Sequence, residues 1–518
     1  MSKTIKRVVV VGGGAAGWLT AGTIAAEHDA HLDSGVEVLL VESPDVATIG
    51  VGEGTWPTMR KTLGRLGIKE ADFIRECDAS FKQGTRFDGW HTGAEGDRYY
   101  HPFSLPQGYL KTNLVPSWQE QRDQVTFADA VCVQSQLCEH GLAPKQGSTP
   151  EYAFVANYGY HLDAGKFATM LQKHCTEVLG VEHVLDHVTH INSAENGDIA
   201  SLGSKQHGDI QGDLFVDCTG FSSLLIGKHF QVPFISRKDS LFIDSALAVQ
   251  VPYESESSPI ESQTISTARS AGWIWDIGLS SRRGVGYVYS GEHISDAEAE
   301  SELRTYIKPS MGIEAESVSL RKIAINPGHR QEFWHRNCVA VGMSAGFLEP
   351  LEASALVLVE LSAEMISEQL PVTRETMDIV ARRFNEKFRY RWDRVIDFLK
   401  LHYVLSKRGD TGFWKDNRDG ASIPDSLQEL LMLWERHFPV NADFDQIDEV
   451  FSAASYQYVL YGMGFETLPG PATRRSLSGE EAAVLFRENA DLTRKLISGL
   501  PANRELINTI RTSGLRAA

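Results

Sequence analysis

Gly12, Gly14 and Gly17 stand in G-x-G-x-x-G spacing within "KRVVVVGGGAAGWLTAGTIAAEH", between an apolar run of strand character and a helical run. In that setting the first glycine permits a tight turn and the second lets the backbone approach a pyrophosphate. The third lets helix and strand pack closely, with Ala15 and Ala16 opening the helix beside the phosphates. Glu42 ends the next apolar run, "VEVLLVES", where a carboxylate can accept hydrogen bonds from a ribose. Together these features predict dinucleotide binding. "TIGVGEGTWP", residues 48–57, bears on which dinucleotide: its glycines, carboxylate and proline make a constrained loop where a flavin nucleotide often lies extended, with Val51, Gly52 and Glu53 beside it. "DLFVDCTGF" is similar to the late strand and turn that closes over FAD in flavoprotein folds, which makes FAD the favoured ligand.

A second stretch, "GWIWDIGL" at residues 272–279, sets two tryptophans two positions apart. In a strand, Trp273, Trp275 and Ile277 share one face while Ile274 and Asp276 point the other way, so the tryptophans either pack a core or wall off a cavity. Metal chemistry finds no support. Cys77, Cys132, Cys138, Cys175, Cys218 and Cys338 are scattered without paired spacing, and the 17 histidines show no HxxxH or HxH grouping. The cysteines read as reduced core residues.

The elements that must carry these residues follow from periodicity. The opening strand, glycine turn, helix and second strand form a βαβ unit, which belongs to a parallel, doubly wound sheet. "GDLFVDCTGFSS" and "RNCVAVGMSAGFLEPLEASALVLVELSAEMI" read as further strands and a helix of the same sheet, assembled from distant segments. Between "DSLFIDSALAVQVP" and "RRGVGYVYS" the alternation predicts an antiparallel sheet. After about residue 355 the pattern turns helical. The expected division is therefore 1–355, an FAD-binding module with an inserted antiparallel sheet, and 356–518, a mostly helical substrate-side region. A cavity between sheet and helices is the natural place for a small molecule. The formal net charge of −18 argues against nucleic acid or an anionic membrane as the main partner. No apolar run is long enough to span a bilayer and the N-terminus lacks signal-peptide features, so a cytoplasmic location is expected.

The glycine motif together with W-x-W-x-I resembles the flavin-dependent halogenase family, whose best-known members act on tryptophan. "ASFKQGTRFDGW" resembles the segment that carries the family's active-site lysine, which falls on Lys82. "YYHPF" resembles the segment whose His and Phe flank the aromatic substrate, here His101 and Phe103. "FLEPLEASAL" resembles E-P-L-E-S-T-G, whose second glutamate lies beside the lysine and is Glu352 here. The resemblance implies a Rossmann-like fold of the glutathione-reductase and monooxygenase type, with Val188, Met343 and Leu356 as further flavin contacts. It implies FAD arriving as FADH2 from a separate flavin reductase, and chloride or bromide held by the backbone N–H groups of Ser354 and Ala355. Hypohalous acid would then reach Lys82, which forms a haloamine or holds the acid by a hydrogen bond. An electron-rich aromatic such as tryptophan or another indole attacks the halogen, with Glu352 polarising the oxidant or taking the ring proton. Trp273 and Trp275 would separate flavin from substrate. A homodimer is among the assemblies the resemblance allows.

The chain departs from the family pattern at Gly278, where proline usually follows W-x-W-x-I, and at Ala353, Ser354 and Ala355, which replace Ser-Thr-Gly. The first should alter the turn and not the barrier; backbone contacts to halide survive the second. Tyr456, Tyr458 and Tyr461 are candidate pocket residues in the helical region. Two rivals remain at this stage. An FAD-dependent aromatic monooxygenase would usually carry Gly-Asp where this chain has Gly342-Met343. A non-catalytic flavin-binding scaffold would not need Lys82 and Glu352.

Overall fold

The computed structural model describes residues 4–46, 52–468, 470 and 477–515. The chain divides into two units, each made of three segments: Met1–Asp78, Leu162–Arg237 and Asn326–Trp392 in the first, Ala79–His161, Lys238–Ile325 and Asp393–Ala518 in the second. The boundary therefore falls inside the helix Arg374–Val404 and not at residue 355.

The first unit is built on a six-stranded sheet in the order Trp334–His335, Cys338–Ala340, Leu214–Asp217, Arg7–Val11, Glu37–Glu42, Glu182–Leu185. All neighbours are parallel except the first pair. Val8, Val9 and Val10 are fully buried at its centre, as a strand covered on both faces requires. The helix Ala15–Glu27 is buried continuously from Gly17 to Ala25 and packs against Ser354–Glu368. The fold is α/β with the doubly wound sheet expected, and it is assembled from three distant stretches of sequence.

The second unit holds a seven-stranded sheet in the order Arg321–Ala324, Ser245–Pro252, Arg282–Tyr289, Gly272–Gly278, Thr264–Arg269, Gly84–Asp88, Arg98–Pro102. It is antiparallel except where Thr264–Arg269 runs parallel to Gly84–Asp88. The helix Asp296–Met311, started by a Ser295–Glu298 capping box, lays Ala299, Leu303 and Ile307 on the face formed by Ile274, Val285 and Tyr287. The strand Gly272–Gly278 is thus buried on both sides, with the tryptophans opposite that helix face. Asp276, pointing with Ile274, is held by the Arg283 guanidinium and by Tyr306. Helices Asp425–Trp434, Ala453–Gly462, Gly479–Gly499 and Asn503–Ser513 complete this unit.

All six cysteines are buried and unbridged. Among the described residues no group of His, Cys, Asp and Glu could hold a metal ion. Among them, too, no helix is long and apolar enough to cross a membrane.

Candidate active site

In the first unit the glycine turn has the features a pyrophosphate needs. Gly12 has φ +115°, and a Cβ there would lie 2.2 Å from the Cys218 carbonyl oxygen, so only glycine closes this turn. A Cβ on Gly17 would lie 1.8 Å from the Gly12 carbonyl oxygen, which explains the third glycine by close packing. Gly14 differs: φ is −75° and a Cβ would meet nothing within 4 Å. The space it faces is open, at the N-terminus of a helix that no side chain caps. Backbone N–H groups there can bind an anion. A residue with a Cβ would fold here and fill part of this open space.

The Glu42 carboxylate lies against Gly13, where an added Cβ would meet it at 1.4 Å, and Oε1 stands 2.8 Å from His183 Nε2. Burial raises the Glu42 carboxyl above its ordinary range, opposed by the His183 partner. His183 also packs edge-on against Trp18 of the glycine-turn helix. The Gly342–Met343 turn closes over the same helix: Gly342 has φ +70°, and a Cβ on it would come 2.9 Å from Ala16 Cβ. Met343 reaches the Gly220 turn that follows the Leu214–Asp217 strand. Leu356 is buried, and Val188 is half-buried at the start of its strand. Gly52 and Glu53 lie in the short strand Gly52–Gly54, where burial pushes the Glu53 carboxyl up to about 7. Val51 lies outside the described residues. These residues fit an FAD nucleotide: a glycine cradle, an uncapped helix end and a carboxylate at the ribose position.

Glu352 also belongs to the first unit. Glu352 and Ala353 take left-handed conformations in succession, with φ +63° and +55°, which non-glycine residues rarely adopt. Trp56, from the "GEGTWP" stretch, donates its indole N–H to the Glu352 carbonyl at 2.7 Å and holds this peptide in place. The helix Ser354–Glu368 starts directly afterwards with no side-chain cap, so the N–H groups of Ser354 and Ala355 have no capping acceptor. These backbone donors do not depend on the side chains at Ala353, Ser354 and Ala355, and a helix N-terminus of this kind is a place where an anion can bind.

In the second unit Lys82 ends the strand Ser80–Lys82, paired antiparallel with residues 159–161. It is 1% exposed, which removes the reading of a solvated surface lysine. Its ammonium stands 5.3 Å from the centre of the Phe103 ring. His101, on the strand beside Gly84–Asp88, is buried with its ring against Phe398 at 5.6 Å and Tyr458 at 6.1 Å. Lys82, Phe103 and His101 are therefore brought together. Opposite Ser80 in the register sits His161, fully buried, with Nε2 2.9 Å from Thr264 Oγ1. Burial and the nearby Lys82 cation hold its imidazole well below the usual range, so it stays neutral. Of the three tyrosines, Tyr458 borders His101 and donates to the Ser104 carbonyl; Tyr456 packs on Trp434 and Tyr461 on Trp118.

Trp273 and Trp275 are both buried. Trp273 lies 6.2 Å from Trp90, and Trp275 covers Gly286, where a Cβ would meet its ring at 2.1 Å. Gly278 ends the strand, and its carbonyl accepts the Ser80 hydroxyl at 2.5 Å, linking the tryptophan strand to the lysine strand. Sequence spacing pointed to none of Trp56, His183, His161 or Asn503. Asn503, fully buried on the last helix, donates to the carbonyl of Phe81 beside Lys82.

An uncapped glycine-turn helix on a parallel sheet, with the Glu42 carboxylate at the end of the second strand, defines the dinucleotide-binding class of α/β protein. A model of the tryptophan halogenase family matches residues 7–474. The tryptophan 6-halogenase SttH of Streptomyces toxytricini is 34% identical over 522 residues, covering 96% of this chain and 97% of its own. The crystal structure of a tryptophan halogenase from Shewanella frigidimarina NCIMB 400 matches with TM-score 0.96 at 50% identity, covering 100% of this chain and 99% of that one. Tar14, a tryptophan C-6 flavin-dependent halogenase from taromycin biosynthesis, matches with TM-score 0.90 at 34% identity, covering 98% of this chain and 100% of its own. The chain belongs to the tryptophan halogenase family and is a flavin-dependent halogenase.

Proposed function

We propose that this halogenase uses FADH2 from a separate flavin reductase to halogenate tryptophan or a similar indole, with Lys82 carrying the halogen. The flavin, when bound, supplies the electrons by which FADH2, oxygen, halide and a proton give FAD, water and hypohalous acid. The cradle at Gly12, Gly14, Ala15, Ala16 and Gly17, with Glu42, holds the nucleotide; Gly52, Glu53, Val188, Met343 and Leu356 line its length. The free N–H groups of Ser354 and Ala355 hold chloride or bromide. Trp273 and Trp275 form the wall that keeps an organic substrate from the oxidising centre, so that halogen and not oxygen is transferred.

At Lys82 the amine and hypohalous acid give a haloamine and water, or the ammonium holds the acid by a hydrogen bond. In either form the indole carbon takes the halogen as its bond to nitrogen or oxygen breaks. The Glu352 carboxylate either polarises the oxidant or takes the ring proton. Phe103 and His101 set the plane of the ring. The observation that carries this reading is the burial of Lys82 with its Nζ 5.3 Å from the centre of the Phe103 ring, which joins two of the motif segments in one place. The monooxygenase alternative lacks support: Gly342-Met343 stands at the Gly-Asp position and the tryptophan pair is present. The location is cytoplasmic, in keeping with a diffusible reduced flavin.

Replacing Lys82 with Ala should abolish halogenated product while FADH2 oxidation and hydrogen peroxide release continue. Mass spectrometry of assays with a flavin reductase and an indole panel, in chloride and bromide separately, reads this out. Full product from the Lys82→Ala protein would remove the lysine from the mechanism.

A further inference from the structure

Two buried glutamines join Lys82 to the wall that carries Phe103. Gln83 follows Lys82 and is fully buried. Its backbone N–H donates to Ser262 O at 2.7 Å, and its carbonyl accepts the Phe103 N–H at 3.0 Å. Its side-chain Nε2 donates to Leu142 O at 2.7 Å, and Oε1 accepts from Gln134 Nε2 at 3.2 Å. Gln134 is fully buried as well. Its Nε2 donates also to Asn157 O at 2.5 Å, and its Oε1 accepts the Ser104 N–H at 2.6 Å. Asn157 closes the ring of contacts by donating Nδ2 to Phe103 O at 3.0 Å. Every hydrogen-bonding atom of the Gln134 amide is thus used on one of three strands of chain: the lysine strand, the Phe103–Ser104 segment and the segment at Asn157.

A leucine would fill the same volume, so packing alone does not account for an amide here. Removing that amide would leave the Ser104 N–H, the Asn157 carbonyl and Gln83 Oε1 without these partners. The contacts run to the two peptides that flank the Phe103 ring and to the residue after Lys82. We propose that Gln134 is a positioning residue for halogen transfer: through Gln83 and Asn157 it fixes the distance and angle between Lys82 and the Phe103 wall. It thereby sets which ring carbon meets the halogen and how much oxidant is spent on product. The inference rests on Lys82 as halogen carrier.

The test uses the full-length protein with a flavin reductase and tryptophan. Gln134→Leu removes the bridge; Asn157→Ala removes the bond to Phe103 O at a half-buried site, keeps the Asn157 carbonyl that Gln134 uses, and is the milder change for folding. A displacement of about 1 Å between reacting groups can cost on the order of 10²-fold in rate. The expected result is a fall of about tenfold or more in kcat and in product formed per peroxide released, with a changed ratio of halogenated isomers. FADH2 oxidation stays unchanged and KM moves far less than kcat. Folded variants that lose only thermal stability, with wild-type isomer ratio and product per peroxide, would overturn the inference. Should Gln134→Leu not fold, the same readings on Asn157→Ala decide. Lys82→Ala run alongside separates the two readings: product from that variant would count against the carrier role itself, whereas its loss beside unchanged Gln134 and Asn157 variants would count against positioning alone.

Discussion

Glu352 carries two signals, one readable in the sequence and one not. "FLEPLEASAL" marks it as the family's glutamate, but nothing in that string tells of its left-handed backbone or of Trp56 donating to its carbonyl from 296 residues away. Two consecutive non-glycine residues at positive φ cost on the order of 1–3 kcal/mol each, and such strain persists where surrounding structure fixes it. Glu352→Gln keeps the shape and the backbone preference while removing the charge, so it isolates the carboxylate. Losing a positioned acid or base costs roughly 10²–10⁴-fold, and product formation should fall by that order at saturating halide. Recovery of the rate at high bromide would point to the neighbouring N–H groups of Ser354 and Ala355 instead. The same contrast holds across the site. Lys82, His101 and Phe103 were legible as motif positions, whereas Gln134, His161, His183 and Asn503 meet their partners only in the folded chain. Asn503 lies 422 positions from the Phe81 carbonyl that it holds, a separation no spacing rule reaches.

Among the elements, the βαβ start, the antiparallel sheet and the helical run after residue 355 follow from periodicity of apolar residues. The parallel edge between Thr264–Arg269 and Gly84–Asp88 does not, because it pairs strands 179 positions apart, counted from Thr85 to Thr264. It is this edge that puts the His101 strand on the same sheet as the tryptophans. Helix Ser354–Glu368 shows a further feature invisible in sequence. Glu360, on its buried face, accepts from the hydroxyls of Thr62 at 2.5 Å and Thr58 at 3.2 Å on the helix Thr58–Arg65. Burial, with Glu364 nearby, pushes its carboxyl up from the ordinary 4.5 to about 8. An acid whose folded pKa lies above its unfolded one binds more protons when folded, so its contribution to stability is full below 4.5 and is lost as pH rises through 8. Each unit of pH in that window is worth up to about 1.4 kcal/mol. Glu360→Gln should flatten this decline: the melting temperature of the variant relative to wild type should rise from pH 5 to pH 8.5. Parallel curves would mean that Glu360 titrates as an ordinary carboxylate.

For the whole molecule, the change of pattern near residue 355 misled, because it records secondary structure and not which segments pack together. The parallel sheet sets Leu214–Asp217 beside Arg7–Val11 and Cys338–Ala340 beside Leu214–Asp217, so the first unit draws chain from three stretches and ends at Trp392. A nucleotide held by such a unit ties those stretches together only in the folded state, and ligand binding then appears as thermal stability. At a free FAD concentration of 100 times Kd the stabilisation is about 2.7 kcal/mol. For a unit of this size that corresponds to a shift of about 5–10 °C in its melting temperature. Gly14→Val is the informative variant. The backbone at Gly14 is ordinary, with φ −75°, and the added side chain meets no protein atom within 4 Å of its Cβ, so the variant should melt with the apo wild type. Its side chain would occupy the face where the pyrophosphate meets the helix N-terminus, so FAD should no longer raise its melting temperature. Gly12→Val, by contrast, collides with the Cys218 carbonyl at 2.2 Å from its Cβ and should lower stability with or without FAD. Differential scanning fluorimetry of the three proteins with and without FAD distinguishes a lost ligand site from a damaged fold. An undiminished FAD shift in Gly14→Val would mean that the nucleotide's phosphates lie elsewhere.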